Sequence, residues 1–310
     1  MNKPLVSIGM CSWNSSTTIE SAISSLQAQD YTNWELIIID ANSSDDTISI
    51  INKKFLSDPR IKLLTCNWQQ PWTTSTLEQL RLAKGSFFMW LDPDDFISPN
   101  WISSLLKIHS TNSCIGAVGI LQLIDENNRV VINNASSGRF FRFTANNQKH
   151  SRIMKSLLLP ESFGVVNFLY GLWSIDSLRS VNLWNANDKT LTFDQIFALE
   201  ALSKGRVIYT KDTYHCRRTH WSLLKTRDLI ADPINFNSFL IKENRIKLFG
   251  YLFEFLTIKP EFKLYRGWLK DQDLKLKFLF SFAIISRRMV SESAPIAYWL
   301  RRTLNKVKVE

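Results

Sequence analysis

The fold of this chain is decided by the stretch Phe87-Phe88-Met89-Trp90-Leu91-Asp92-Pro93-Asp94-Asp95, in which an uninterrupted apolar run ends in three carboxylates within four positions. A run that is short, rich in aromatic residues and preceded by Gly85 is typical of a strand buried on both faces of a sheet. The carboxylates would then stand at the carboxyl end of that strand, where open α/β sheets bind their ligands.

Three carboxylates on one turn raise one another's pKa values unless a cation lies between them. Oxygen ligands suit Mg²⁺ or Mn²⁺. The three acids therefore predict a metal site for phosphate chemistry. The alternative is a solvated acidic turn in which Asp92 or Asp94 caps the loop that follows.

The first hundred residues alternate strand-like and helix-like patterns. Three strands precede the acid-tipped one, and they are predicted at residues 6–10, 36–39 and 61–64. After the first of them, apolar residues recur at the spacing of one buried helix face, namely Ile19, Ala22, Ile23 and Leu26. Four such βα units imply an α/β fold with a mostly parallel sheet, right-handed crossovers and a ligand crevice above the carboxyl edge.

The pattern beyond residue 97 is less regular. Helices are predicted from Ser98-Pro99 and over residues 194–203, and strands at residues 117–124, 130–132, 168–173 and 207–209, with a polar loop at 133–151. From about residue 226 the sequence becomes basic, aromatic and helical. We therefore expect one domain over residues 1–225, with halves at 1–100 and 101–225, and a basic amphipathic helical extension over residues 226–310.

The composition limits the classes of protein to consider. The chain has 310 residues, 45% of them hydrophobic, and four cysteines without metal-binding spacing, which favours a reducing, cytoplasmic compartment. We expect no signal peptide, because residues 1–4 lead directly into a strand-like segment. The longest late apolar run, residues 278–285, is far shorter than the ~20 residues of a membrane-spanning helix.

The formal charge of +10 is concentrated late in the chain. Lys and Arg alternate with Phe, Leu and Tyr over residues 242–288 and recur over 301–308. This pattern favours peripheral binding of the extension to the anionic inner face of a membrane, and the alternative is a solvated basic helix face. We expect no nucleic acid partner, because no nucleic-acid-binding motif accompanies the charge.

Four segments within the first hundred residues carry a family resemblance. Residues 6–14 resemble the opening strand of family 2 glycosyltransferases, which ends in a small polar residue, an aromatic residue and Asn. Residues 23–40 are similar to the family's first helix and second strand, and residues 43–47 to its Ser-Thr-Asp-Gly-Thr turn. Residues 91–95, with Pro99 after them, match its Leu-Asp-x-Asp-Asp tetrad, which contains the Asp-x-Asp motif.

The resemblance covers residues 4–222 and implies a GT-A fold. It implies inverting transfer of a sugar from a nucleotide-diphosphate donor to a saccharide or lipid-linked acceptor, as in cell-surface polysaccharide or glycolipid synthesis, with Mg²⁺ or Mn²⁺ as cofactor. It implies Asp94 and Asp92 as metal ligands. The residues that it implies for nucleotide-sugar binding are Cys11, Trp13, Asn14, Asp40, Ser43, Asp92, Arg218 and His220.

Several of these residues also have a plain structural interpretation. Trp13 can stack on a base or fill the edge of the sheet. Asp40 can accept a hydrogen bond from a base or ribose, or cap the turn to Ser43. Arg218 and His220 can neutralise a departing diphosphate, or belong to an ordinary surface loop.

The resemblance also implies a catalytic base at the start of a helix in the second half. Asp194 fits, about eleven residues before Gly205, with Phe193 where many members carry Glu. A carboxylate can take the proton of the acceptor hydroxyl as that oxygen attacks. The alternative is that Thr192 and Gln195 form a capping box and Asp194 favours only the helix dipole.

The chain departs from the family pattern at Ala41, Leu77 and Gln79, where many members have Asp, Asn and Gly. A catalytically weak relative that binds nucleotide-sugar or glycan is therefore a second hypothesis. Another metal-nucleotide transferase is a third, and the lack of Gly, Lys and Arg in residues 12–16 counts against it.

Overall fold

The computed structural model describes residues 3–68, 72–133, 144–158, 169–181 and 193–218. Nine strands lie within these residues: β1 (Val6–Ser12), β2 (Trp34–Asp40), β3 (Ile61–Thr65), β4 (Phe87–Trp90), β5 (Phe96–Ile97), β6 (Gly116–Ile124), β7 (Val130–Asn133), β8 (Leu172–Ser174) and β9 (Val207–Arg218). The helices are α1 (Ile19–Gln27), α2 (Thr47–Lys54), α3 (Trp72–Leu82), α4 (Trp101–Thr111), α5 (Lys149–Leu158), α6 (Ile175–Arg179) and α7 (Phe193–Lys204).

The strands form one mixed sheet in the order β3-β2-β1-β4-β8-β6-β9-β5, and β7 pairs with β6. The strands of the first half, β3, β2, β1 and β4, run parallel. Every residue of β2 is buried, as are the last three residues of β4, because helices cover both faces of a parallel sheet. The predicted parallel arrangement of the first four strands is confirmed.

The second half of the sheet is mixed. The short strand β8 lies antiparallel between β4 and β6, and β9 runs parallel to β6 and antiparallel to β5. The prediction of a strand at residues 207–209 was too short, since β9 continues to Arg218. Exposed Lys211 and Asp212 interrupt the apolar pattern there, but the backbone pairing with β6 resumes at Tyr214 after an irregularity.

The core lies between the parallel strands and the helices that follow them. Ile19, Ala22, Ile23 and Leu26 are all buried on α1, which confirms the predicted helix face. Trp101 of α4 is buried too, and a Cβ at Gly119 of β6 would lie 2.5 Å from its ring. The helix therefore packs directly on the backbone of β6, which holds β9 and β5 in place beside it.

Two compact units can be distinguished. The sheet belongs to the first, Met1–Ile153 with Glu161–Thr219, and the second comprises Met154–Pro160 and His220–Glu310. The predicted extension over residues 226–310 lies outside the described residues, and its boundary stays a prediction. Helix α5 begins at Lys149, inside the segment that was predicted to be a polar loop. None of the helices in the described ranges is long and apolar enough to cross a bilayer.

Candidate active site

The carboxyl ends of β1 and β2 meet at a hydrogen-bonded cluster around Asp40. Asp40 is fully buried and lies beside Ser12 in the parallel ladder. Its Oδ2 accepts hydrogen bonds from Ser12 Oγ (2.8 Å) and Ser43 Oγ (2.6 Å), and its Oδ1 accepts one from the Ser43 backbone N–H (2.8 Å). Both carboxylate oxygens therefore have partners within the chain, and Asp40 fixes the turn to Ser43.

Trp13 and Asn14 directly follow β1, at the same carboxyl edge of the sheet. Asn14 has a positive φ of 48°, a left-handed conformation that Asn tolerates better than most residues. Its backbone N–H donates to Ser43 Oγ (2.9 Å), and its Oδ1 accepts from the Ser44 backbone N–H (2.8 Å). Trp13 is 51% exposed at the same edge, so its indole does not fill the core. Contact of these residues with a nucleotide stays a prediction.

Cys11 lies where β1 faces α3. Its Sγ accepts a hydrogen bond from Gln79 Nε2 (3.3 Å) and lies 3.7 Å from Thr76 Oγ1. Burial raises the pKa of the thiol to about 12, and the nearby charge of Asp92 adds to the rise. Cys11 is therefore a neutral thiol in the floor of the site, without the reactivity of a thiolate.

Gln79 is one of the three departures from the family pattern, and it is fully buried. A Cβ at Gly9 of β1 would lie 2.5 Å from Gln79 Oε1 and 2.9 Å from the Phe88 ring. The missing side chain at Gly9 therefore makes room for the longer side chain at position 79. A side chain at position 9 would therefore collide with Gln79.

The turn after β4, residues 92–95, is called the acid loop below. Asp95 is its buried member: its Oδ2 and His215 Nε2 lie 2.7 Å apart in a hydrogen bond, and its Oδ1 accepts from the Arg218 backbone N–H (2.9 Å). His215 is also buried and stands on β9, in register with Ile97 of β5. Asp95 thus joins the acid loop to β9.

Asp92 has a different environment. Its Oδ2 accepts a hydrogen bond from the Tyr170 hydroxyl (2.7 Å). Burial, together with the charges of Asp95 and Asp94, raises the pKa of Asp92 to about 7, against the opposing effects of Tyr170 and Arg217. A bound cation would favour the ionised form of such a carboxyl group, so the electrostatics of Asp92 suit a metal ligand.

Arg218 donates hydrogen bonds to the backbone of the acid loop and to a second turn. Its Nε donates to the Asp94 backbone carbonyl (3.1 Å), and its terminal nitrogens donate to the Asp125 carbonyl (2.9 Å) and to Asn128 Oδ1 (2.7 Å) in the turn between β6 and β7. The guanidinium therefore connects two turns. Its predicted contact with a diphosphate stays a prediction.

The carboxylates that the sequence predicts as metal ligands are Asp92 and Asp94. Within the described ranges, no group of three or more His, Cys, Asp or Glu side chains is arranged to hold a metal ion. Mg²⁺ is commonly bound by one or two carboxylates together with substrate phosphates. The two half-buried acids fit that donor set, in which the substrate completes the coordination, better than a cage made by the protein alone.

Asp194 stands in the first turn of α7, which begins at Phe193. Its side chain and the whole of His220 fall outside what the structure describes, so their roles stay predictions.

Tyr170 and His215 are site residues that the sequence analysis missed. Tyr170 lies 78 positions from Asp92, and His215 lies 120 positions from Asp95. Tyr170 lies in a segment that was predicted only as a strand, and His215 in a segment that was noted only for its family resemblance. No local sequence pattern indicates a partner so far away in the chain.

Comparisons with known proteins agree with this geometry. The model of the family described as glycosyl transferase family 2 matches residues 7–166. An uncharacterized glycosyltransferase of Haemophilus influenzae is 31% identical over 170 residues, 54% of this chain and 67% of the relative. The Escherichia coli UDP-Glc:alpha-D-GlcNAc-diphosphoundecaprenol beta-1,3-glucosyltransferase WfgD is 35% identical over 130 residues, 42% of this chain and 51% of the relative. The chain thus spans only about half the length of WfgD.

The solved structure of Staphylococcus aureus TarS 1-349 in complex with UDP-GlcNAc has a TM-score of 0.54 at 20% identity, covering 69% of this chain and 59% of TarS. At 20% identity, this structural similarity is evidence for the fold only. Together with the match over residues 7–166, these findings establish that the chain belongs to glycosyl transferase family 2 and has the GT-A fold.

Proposed function

We propose that this chain is an inverting glycosyltransferase that moves a sugar from a nucleotide-diphosphate donor to a saccharide or lipid-linked acceptor in cell-surface polysaccharide or glycolipid synthesis. The observation that carries the proposal is the acid loop, where half-buried Asp92 and Asp94 follow β4 on the carboxyl side of a parallel sheet. The name of WfgD, a relative, gives a diphosphoundecaprenol-linked acceptor, which supports the lipid-linked alternative.

We infer that Asp94 and Asp92 hold Mg²⁺ or Mn²⁺ together with the diphosphate of the donor. The raised pKa of Asp92 supports this assignment, because burial and the charges of Asp95 and Asp94 outweigh the opposing effects of Tyr170 and Arg217, and a bound cation would offset them. When bound, the ion would neutralise the negative charge that develops on the leaving diphosphate.

The nucleotide would lie toward β1 and β2. The exposed indole of Trp13 can stack on the base. The cluster of Asp40, Ser43 and Asn14 would act mainly by shaping the turn against which the base and ribose rest, since its side chains already bond to one another. Cys11 would form a neutral floor beneath the nucleotide.

Asp194 is the proposed base for the acceptor hydroxyl, and its place in the first turn of α7 favours the ionised form. Asp194→Asn should leave the dissociation constant of the donor within about twofold while turnover falls by at least ~10²-fold, the usual scale for a general base. Asp176→Asn is a matched control, because Asp176 is an exposed acid in the first turn of α6. Equal turnover in Asp194→Asn and wild type would remove Asp194 from the mechanism.

The basic residues beyond 226 support peripheral binding to an anionic membrane surface. Deleting residues 270–310 should reduce sedimentation with vesicles of phosphatidylglycerol, and 0.5 M salt should reduce wild-type sedimentation as well, since about this ionic strength screens surface charges. Vesicles of phosphatidylcholine are the control. Unchanged sedimentation of the deletion variant would assign the tail another role.

A thermal-shift screen tests the proposed function as a whole. Nucleoside diphosphates and nucleotide-sugars are each added with and without Mn²⁺, and a true ligand at 100 times its dissociation constant stabilises the folded chain by about 2.7 kcal/mol. The expected result is stabilisation by one nucleotide class that depends on Mn²⁺, with release of free nucleoside diphosphate when acceptor is present. Binding without turnover on any acceptor would favour the weak relative, and no shift at all would contradict the proposal.

A further inference from the structure

Tyr170 lies two residues before the start of β8. Strand β8 is hydrogen-bonded to β4 on one side and to β6 on the other. The carbonyl of buried Leu169 accepts a hydrogen bond from Trp173 Nε1 (3.0 Å), which fixes the backbone on the amino side of Tyr170. The tyrosine is therefore held by backbone contacts that do not involve the acid loop.

The side chain of Tyr170 extends from this backbone segment to the acid loop. Its hydroxyl donates to Asp92 Oδ2 across 2.7 Å. Its ring meets the buried ring of His215 edge to face, with 5.2 Å between the centroids, and the Arg217 guanidinium carbon lies 5.6 Å from the centroid of the Tyr170 ring. The phenol thus has a defined orientation, set by packing against β9.

The two ends of the acid loop are held by different elements. Tyr170 binds the carboxylate of Asp92, and His215 binds the carboxylate of Asp95. The rings of Tyr170 and His215 are in contact, so the two supports form one packed unit beneath the loop. Removal of the Tyr170 hydroxyl alone would therefore take away a donor to Asp92, while the ring would stay packed on His215, which binds Asp95.

We propose that Tyr170 is a positioning residue, whose hydroxyl orients the Asp92 carboxylate for binding a divalent cation together with a nucleotide diphosphate. The proposal rests on the function proposed above. A partner that donates to a ligating carboxylate typically contributes 10- to 100-fold to metal affinity, because it fixes the rotamer and stabilises the charge. One oxygen of Asp92 is bonded to the phenol, which leaves the other to turn toward the ion.

The chemistry of the Tyr170 side chain fits this role. A phenol hydroxyl can donate a hydrogen bond to a carboxylate, and the 2.7 Å between this hydroxyl and Asp92 Oδ2 is the distance of such a bond. Phenylalanine at this position keeps the ring and its contact with His215, and removes the donor alone.

The test compares Tyr170→Phe with Tyr31→Phe. Tyr31 is buried near the amino end of β2, where its hydroxyl donates to the backbone carbonyl of Pro4, so its variant also loses one tyrosine hydrogen bond, away from the site. Calorimetry measures the dissociation constants of UDP and GDP with Mn²⁺ and with EDTA. We expect Tyr170→Phe to weaken binding 10- to 100-fold with Mn²⁺ and less than twofold with EDTA. Tyr31→Phe should match the wild type in both.

The outcomes separate this inference from the proposed function. Wild-type chain that binds neither nucleotide in a Mn²⁺-dependent way would overturn both. Mn²⁺-dependent binding by the wild type that is unchanged in Tyr170→Phe would overturn the role of Tyr170 alone. Equal weakening with Mn²⁺ and with EDTA would do the same, because it would reveal a general loss of structure in place of a defect in metal binding.

Discussion

Two carboxylates stand at the ends of neighbouring parts of the same sheet and have opposite surroundings. Asp40, at the end of β2, accepts three hydrogen bonds from Ser12 and Ser43. Asp92, after β4, is crowded by Asp94 and Asp95, and its pKa is raised to about 7. The difference favours the second carboxylate as the proposed cation ligand, because three hydrogen bonds already satisfy Asp40, whereas burial and the neighbouring acids oppose the ionised form of Asp92.

The acid loop contains the same contrast within itself. Asp95 is buried and bonded to His215 and to the Arg218 backbone, much as Asp40 is bonded to its neighbours. Asp92 and Asp94 are half-buried, and they are the two acids that we propose as metal ligands. Three acids that look equivalent in the sequence therefore divide into one that builds the loop and two that can bind.

The largest effect that would sharpen the comparison is expected from Asp40→Asn. The amide nitrogen cannot accept the bonds that the carboxylate oxygen accepted, and bonds to a charged group are worth about 1.5–3 kcal/mol each. We expect the free energy of unfolding, measured in urea, to fall by about 3 kcal/mol.

Asp46→Asn is the control for this variant, because Asp46 is exposed and caps α2 without a side-chain hydrogen bond. It should change the free energy of unfolding by less than about 0.5 kcal/mol. An Asp40→Asn variant as stable as its control would mean that Asp40 is not a structural carboxylate, and the contrast with Asp92 would be lost.

A smaller effect is expected from Trp13→Ala, on binding alone. Stacking on a base contributes about 1–3 kcal/mol, so the dissociation constant of the bound nucleoside diphosphate should rise about 10-fold while the melting temperature stays unchanged. Tyr214→Ala on β9 is the control, since it removes another exposed aromatic side chain. Unchanged affinity in Trp13→Ala would place the base elsewhere.

The smallest effect is a pH dependence of stability. Because the pKa of Asp92 is raised from 3.8 to about 7 in the folded chain, the folded state holds a proton that the unfolded state loses in that range. Folding therefore becomes less favourable as pH rises from about 4 through 7. Between about pH 6 and pH 7.5, without metal, we expect the difference in melting temperature between wild type and Asp92→Asn to grow against the wild type by about 2–4 °C, as for about 1 kcal/mol.

If the ion takes the place of the proton on Asp92, Mn²⁺ with UDP should abolish this pH-dependent difference in melting temperature. Parallel pH profiles for wild type and Asp92→Asn would show that the carboxyl group titrates normally. The contrast with Asp40 would then rest on hydrogen bonds alone.

The first half of the fold could be predicted because local patterns determine it. The spacing of Ile19, Ala22, Ile23 and Leu26 marks one buried helix face, and the apolar run that ends at Asp92 marks a central strand. Within one such βα unit, the residues that contact each other are close together in the sequence. Periodicity therefore carries most of the information about them.

The second half could not be predicted to the same depth because its contacts are distant. Strand β9 pairs with β6 on both sides of Lys211 and Asp212, which break the apolar pattern at an irregularity in the ladder, and the support of Asp92 by Tyr170 spans 78 positions. Gln79 was visible in the sequence as a departure, but its accommodation by Gly9 depends on the packing of α3 against β1. Such pairs become apparent only when the sheet is assembled.

The most direct test of the central claim is the Mn²⁺ dependence of nucleotide binding in Asp94→Asn. Calorimetry with UDP and GDP, with Mn²⁺ and with EDTA, should give a wild-type affinity that falls on chelation, and an Asp94→Asn affinity that is low and equal under both conditions. Asp46→Asn should behave like the wild type. An Asp94→Asn variant that keeps the wild-type gain in affinity with Mn²⁺ would contradict the claim that the acid loop holds the ion.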